Sequence, residues 1–112
     1  MESYTPEQVN QLLNRAGKGA RIYLVGAGGC GMSGLAHILL DMGFSIGGTD
    51  LVNNHEIEGL HARGAVIKVG HDPALLKAFN PVLVVYSNAI LRNNAELEMA
   101  RNRDIPIIRR SI

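Results

Sequence analysis

The stretch "VGAGGCGMSG", Val25 to Gly34, decides how the rest of the chain is read. Five of these ten residues are glycine. They follow the apolar run "RIYLV" (Arg21 to Val25) and precede a helical pattern in which Leu35, Ile38, Leu39 and Met42 fall at i, i+3, i+4 and i+7. Gly26-Ala27-Gly28-Gly29-Cys30-Gly31 matches G-x-G-x-x-G. Alone the pattern is weak in a chain with 13 glycines; between a strand and a helix it acquires meaning. Gly26 is expected to allow a tight turn, Gly28 to let an anion sit against bare backbone, and Gly31 and Gly34 to bring the helix close to the strand. The helix start offers unpaired N–H groups and a partial positive charge. The expected guest is a phosphate, in the form of a pyrophosphate; the competing reading is a plain glycine-rich turn.

Working outward, strands and helices alternate. "TPEQVNQLL" starts a helix, with Thr5 as N-cap, Pro6 at the first position, Gln8 completing a capping box, and Val9, Leu12 and Leu13 on one face. Gly17 and Gly19 end it, and Gly43 stops the helix after the glycine loop. "FSIGGTD" is a second strand ending at Asp50, "NHEIEGLHARG" a second crossover helix with Ile57 and Leu60 inward, and "AVIKV" a third strand. "DPALLKAF" is a short helix capped by Asp72, "VLVVYS" (Val82 to Ser87) a fourth strand, "NAELEMARNR" a helix, and "IPIIR" (Ile105 to Arg109) a fifth strand. The alternation predicts an α/β fold: a parallel sheet with helices on both faces. "IYLV" and "VLVV" are continuous apolar runs suited to central strands. Lys68 and Pro106 suit edges. The expected order is 3-2-1-4-5, a Rossmann-like half, whose switch point between the first and fourth strands is where a ligand crevice belongs.

Composition sets the outer limits. With 112 residues the chain is long enough for one domain around one core, and 46% hydrophobic with 19% charged residues is ordinary for a globular protein. A net charge of +1 makes no bulk case for nucleic acid or membrane. Arg101, Arg103, Arg109 and Arg110 gather late, and read first as a solvated surface, second as a phosphate-binding or interdomain patch. A single cysteine, Cys30, excludes an internal disulfide and a zinc cluster and fits a reduced cytoplasmic setting. No apolar stretch approaches the length of a transmembrane helix, and "MESYTPEQ" does not resemble a signal peptide.

Several residues gather at the carboxyl edge of the predicted sheet. Asp50 ends the second strand, where an acid accepts hydrogen bonds from ribose hydroxyls in dinucleotide folds; the alternative is a helix or turn cap. His71 follows the third strand and either reaches a ligand or is a solvated loop histidine. "YSNAI" (Tyr86 to Ile90) leaves the fourth strand at the switch point, placing Ser87 and Asn88 near a ligand. Cys30 reads as packing under the loop rather than as a reactive thiol. His37, His55 and His61 have no coherent metal spacing and read as structural or exposed. There is no G-x-x-x-x-G-K-[ST] and no nucleophile–base pair, so the chain is expected to bind without metal or cofactor and to lack catalytic activity of its own.

Taken together these residues resemble the N-terminal domain of the Mur ligases. "YLVGAGGCGMSGLAHILLDMGFSIGGTD" carries the resemblance, and "GHD" (Gly70 to Asp72), "YSNAI" and "RNRDIPIIRR" follow in the family's order, covering the chain from about residue 20 onward. Ala27 and Cys30 stand where isoleucine is expected, and Thr49 where serine is frequent. The resemblance implies binding of the UDP part of UDP-N-acetylmuramic acid in peptidoglycan precursor synthesis, by the family member that adds L-alanine. It implies that Gly28, Gly29, Cys30, Gly31, Met32 and Ser33 cradle the diphosphate, that Asp50 with Thr49 lies by the uridine, and that His71, Ser87 and Asn88 line the same pocket. ATP and magnesium, an acyl phosphate on the muramoyl carboxylate, and the downstream ATP-binding and C-terminal domains are implied for the full-length enzyme. This chain ends where the family's first domain ends, so the expectation is a single first domain over 1–112. A ligase that recycles murein tripeptide onto the same UDP-sugar is a close relative. The alternative of a different class is an NAD-binding module of a dehydrogenase or of an ion-transport regulatory subunit, which Gly26, Gly28, Gly31 and Asp50 fit equally well; Gly29, "GMSG" and "SNAI" distinguish the two.

Overall fold

The computed structural model describes residues 5–28, 31–51, 54–87 and 94–109. Its elements run α1 (Pro6–Ala16), β1 (Arg21–Val25), α2 (Met32–Asp41), β2 (Ser45–Asp50), α3 (His55–Ala62), β3 (Val66–Val69), α4 (Pro73–Phe79), β4 (Leu83–Tyr86), α5 (Ala95–Asn102) and β5 (Ile107–Arg109). The strands form one five-stranded sheet in the order β3-β2-β1-β4-β5, and each neighbouring pair is parallel. This is the order expected from the apolar runs in the inner strands and from Lys68 and Pro106 at the edges.

Alternation along the inner strands sorts the core into two halves. Ile22, Leu24, Ile46, Ile67, Leu83, Val85 and Ile108 face one side, where Leu13 of α1, Ala36 and Leu39 of α2, and Ile57 and Leu60 of α3 pack on them. Tyr23, Val25, Val84, Tyr86 and Ile107 face the other, under Leu76 of α4 and Leu97 and Ala100 of α5. Helices on both faces explain why the central strands carry almost no polar residue.

Local signals set most boundaries. Thr5 and Gln8 form the reciprocal capping box at α1, a device contributing about 1 kcal/mol. Asp72 accepts from the amides of Ala74 and Leu75 at the start of α4, and the Lys68 ammonium bonded to it holds its carboxyl below the usual carboxylate range.

The buried face of α2 differs from expectation. Met32, Ser33, Ala36 and Leu39 are buried, whereas Ile38 and Met42 are 57% and 53% exposed and Leu35 is only half-buried. Both stripes contain Leu39, and the helix is apolar on most of its circumference, so periodicity could not choose between them. The left-handed Gly31 (φ 80°) that launches the helix sets its phase and drives Met32 into the core. Gly34 also differs: a Cβ there would meet nothing within 4 Å, so it brings no helix closer to a strand. The close approaches lie in β2 instead. A Cβ on Gly48 would fall 2.1 Å from the Leu24 carbonyl oxygen, and one on Gly47 2.9 Å from the Phe79 ring.

Candidate functional site

The carboxyl ends of β1, β2, β3 and β4 bring the candidate residues to one edge of the sheet. At β1 the chain turns through Gly26, whose φ of 87° is the left-handed value its position was expected to need. The amides of Gly26 and Ala27 both donate to the Thr49 carbonyl, at 2.8 and 2.9 Å. The next amide, Gly28, donates to Asp50 Oδ2 at 2.7 Å. The end of β2 therefore occupies the first three donors of the glycine loop.

A Cβ on Gly28 would lie 3.0 Å from Asp50 Oδ2, 3.1 Å from Ile57 Cγ1 and 3.2 Å from Asn54 Nδ2. The group that crowds this glycine is the protein's own β2 end and α3 start. The donors left for an anion, among the described residues, are at the beginning of α2. There Gly31 is the N-cap, no side chain caps the first turn, and the first turn contains no acidic residue. Met32 is fully buried, so only its backbone can serve a ligand. Ser33 is buried and donates its hydroxyl to Glu56 Oε2 at 2.8 Å. Two carboxylates, Asp50 and Glu56, thus border this helix end, and Glu56 was not foreseen because it stands on a different helix.

Thr49 and Asp50 are consecutive in a strand and so point to opposite faces. Asp50 turns to the glycine loop. Thr49 is fully buried on the α4–α5 side, where its hydroxyl donates to Glu96 Oε1 and Oε2 at 2.7 and 2.9 Å and lies 3.0 Å from His71 Nδ1. The Thr49 side chain is thus enclosed on the face opposite Asp50. His71 is neither a free loop histidine nor fully buried. Its side chain is 20% exposed and its Nδ1 lies 2.5 Å from Glu96 Oε1. The loop carrying it is pinned on both sides: the Gly70 amide donates to the Asp50 carbonyl at 2.6 Å, and Asp72 caps α4.

Glu96 is the residue sequence reading missed. It is completely buried in the first turn of α5, where Asn94 caps the helix by accepting from the Glu96 amide at 2.7 Å. Tyr23 also donates its hydroxyl to Glu96 Oε2. Burial, reinforced by the Glu96 carboxylate, pushes the Tyr23 phenol well above its ordinary range. Four of the ten residues of "NAELEMARNR" are charged, and nothing in their spacing sets Glu96 apart from Glu98, which pairs with Arg101 at the surface.

Ser87 is buried at the end of β4, and its amide donates to the Val25 carbonyl at 3.1 Å, so it stands at the switch point as expected. Gly29, Cys30, Asn88 and Arg110 lie outside the described residues. The three remaining histidines stand apart from this edge: His61 Nε2 is 2.7 Å from the Ile67 carbonyl, His37 contacts Arg63, and His55 is exposed beside Glu58. Arg109 stacks over the Tyr86 ring at 6.0 Å. No described helix is long and apolar enough to cross a membrane.

Comparison with known proteins adds a second line of argument. Residues 21–112 match the family described as "Mur ligase family, catalytic domain". A UDP-N-acetylmuramate–L-alanine ligase of Mycolicibacterium gilvum is 45% identical over 94 residues, which is 81% of this chain and 20% of that protein. The crystal structure of the UDP-N-acetylmuramate–alanine ligase of Thermotoga maritima superposes with a TM-score of 0.75 at 30% identity, covering 81% of this chain and 21% of that one. The UDP-N-acetylmuramate:L-alanyl-γ-D-glutamyl-meso-diaminopimelate ligase from Neisseria meningitides gives a TM-score of 0.73 at 30% identity, over 81% of this chain and 28% of that one. The chain spans about a fifth of the length of the curated relatives it matches.

Proposed function

The chain belongs to the Mur ligase family, and from that premise we propose that it is the domain that binds the UDP part of UDP-N-acetylmuramate in a ligase adding L-alanine. The observation that carries the proposal is the start of α2. A helix end with no side-chain cap opens at the switch point of a 3-2-1-4-5 sheet, beside Asp50 and Ser87. Such an end offers oriented N–H groups and a partial positive charge to a diphosphate. In this reading the backbone of Gly31, Met32 and Ser33 holds the diphosphate, with Gly28, Gly29 and Cys30 completing the loop. Asp50 accepts from the nucleoside, and His71, Ser87 and Asn88 line the pocket. Thr49 acts from behind, through His71.

The chemistry belongs to the rest of the longer protein. There, ATP with magnesium would activate the muramoyl carboxylate for attack by the alanine amine. Residues 1–112 act as one binding domain that orients the sugar nucleotide toward those domains. The 45% identity to an L-alanine ligase supports this choice of amino acid over a tripeptide.

The test is thermal unfolding of the chain with UDP-N-acetylmuramate, UDP or NADH. Either uridine ligand at 100 times its dissociation constant should stabilise by about 2.7 kcal/mol, and NADH should not. Stabilisation by NADH without any by UDP overturns the proposal in favour of a dinucleotide module.

A further inference from the structure

The buried carboxylate of Glu96 has no role in holding helices together that an apolar residue would not fill better, since burying a charge costs free energy unless it is fully bonded. It is fully bonded here, and by an unusual set. Its partners come from the middle of β1 (Tyr23), the end of β2 (Thr49) and the loop after β3 (His71). Tyr23, Thr49 and Glu96 itself are completely buried, whereas the His71 side chain keeps 20% of its surface at the ligand edge.

The hydrogen count decides the state of the imidazole. An ionised carboxylate only accepts. Tyr23 supplies one hydrogen. Thr49 has one hydrogen, which its distances of 2.7 and 2.9 Å commit to the carboxylate. Nδ1 of His71 lies 2.5 Å from Oε1 and 3.0 Å from the Thr49 oxygen. With Glu96 ionised, a bare Nδ1 lone pair would face a carboxylate oxygen at that distance, so the arrangement calls for the hydrogen on Nδ1. The opposite ring nitrogen, Nε2, has no hydrogen-bond partner among the described residues.

We propose that Glu96 is a positioning residue for ligand binding: braced by Tyr23 and Thr49, it fixes His71 with Nδ1 protonated and presents Nε2 to the nucleotide. The orientation of a histidine by a buried acceptor on its inner nitrogen is a general device. The claim about Glu96 rests on the UDP reading only for its ligand; the state of the ring does not depend on it.

Two measurements on the chain test the proposal. The first is nitrogen-15 correlation spectroscopy of the neutral histidine rings at alkaline pH, with His71 assigned by the loss of its signal in His71→Asn. His61 serves as an internal standard, because a ring bonded through Nε2 to a carbonyl must protonate that nitrogen. The expected result is Nδ1–H for His71 and Nε2–H for His61. In Glu96→Gln, His71 should shift toward Nε2–H. An Nε2–H ring in the unsubstituted protein, or an unchanged ring in Glu96→Gln, overturns the proposal. The unsubstituted protein alone suffices for this arm if the variant does not fold.

The second is UDP affinity in a double-mutant cycle. Glu96→Gln and His71→Asn should each weaken binding by about tenfold or more, and the double variant should lose no more than His71→Asn alone. Additive losses mean that Glu96 does not act through His71. Absence of UDP binding to the unsubstituted chain would instead fail the ligand reading, while the ring state still judges Glu96.

Discussion

At the scale of single residues, Asp50 is where the structure changes the argument most. A carboxylate at the end of β2 was expected to avoid phosphate and face a nucleoside. It accepts from the Gly28 amide, within the glycine loop where an anion is expected to sit against bare backbone. Removing it therefore does two things: it deletes an acceptor for the nucleoside and frees a backbone donor. Asp50→Ala is expected to weaken UDP and uridine binding by about tenfold to hundredfold, the range for hydrogen bonds to a charged acceptor. Inorganic pyrophosphate should bind as well as before or better. Calorimetric titration with the three ligands checks this, and equal losses for all of them would place Asp50 in the fold rather than at the nucleoside.

At the scale of elements, glycines that look alike in sequence do opposite work. In β2 the Leu24 backbone passes so close to Gly48 that a Cβ would lie 2.1 Å from a carbonyl oxygen bonded into the sheet. Gly48→Ala can be accommodated only by moving β1 from β2, and should cost about 3 kcal/mol, the upper end of overpacking effects. In α2, Gly34 is exposed with nothing near its missing Cβ. Gly34→Ala should gain about 1 kcal/mol from helix propensity alone. Urea unfolding of the two variants should give shifts of opposite sign; a destabilised Gly34→Ala would mean that the start of α2 needs glycine for a reason other than space.

At the scale of the whole molecule, the sheet gathers the candidate residues at one edge, where the hydroxyls of Ser33 and Thr49 are committed to the carboxylates of Glu56 and Glu96, and the sequence carries no G-x-x-x-x-G-K-[ST] for ATP. The buried acid behind that edge, Glu96, is committed to Tyr23, Thr49 and His71. The chain is accordingly expected neither to hydrolyse ATP nor to join alanine to UDP-N-acetylmuramate. Turnover by the purified chain above that of a Gly28→Val preparation, in a coupled phosphate-release assay, would contradict the proposal that the chemistry lies outside residues 1–112.

Properties encoded over a few adjacent residues are legible without the fold. The caps at Thr5 and Asp72, the turn at Gly26 and the apolar runs of β1 and β4 are local, and such signals find each described helix and strand, though not its ends: the fifth strand starts at Ile107 rather than Ile105. Sheet order followed because edge strands advertise themselves through Lys68 and Pro106. The face of α2 has no unique stripe, since the helix is apolar on most of its circumference; burial of Met32 in the core chose it. The donors of the glycine loop could not be read either, because their acceptors sit at the end of another strand. Only the tertiary structure decided the cluster behind the site. Tyr23 and Glu96 are 73 positions apart, and His71 and Glu96 25 apart. A buried carboxylate beside Leu97 and Ala100 on the inner face of α5 leaves no period or motif, because its meaning lies in which donors the folded sheet carries to it.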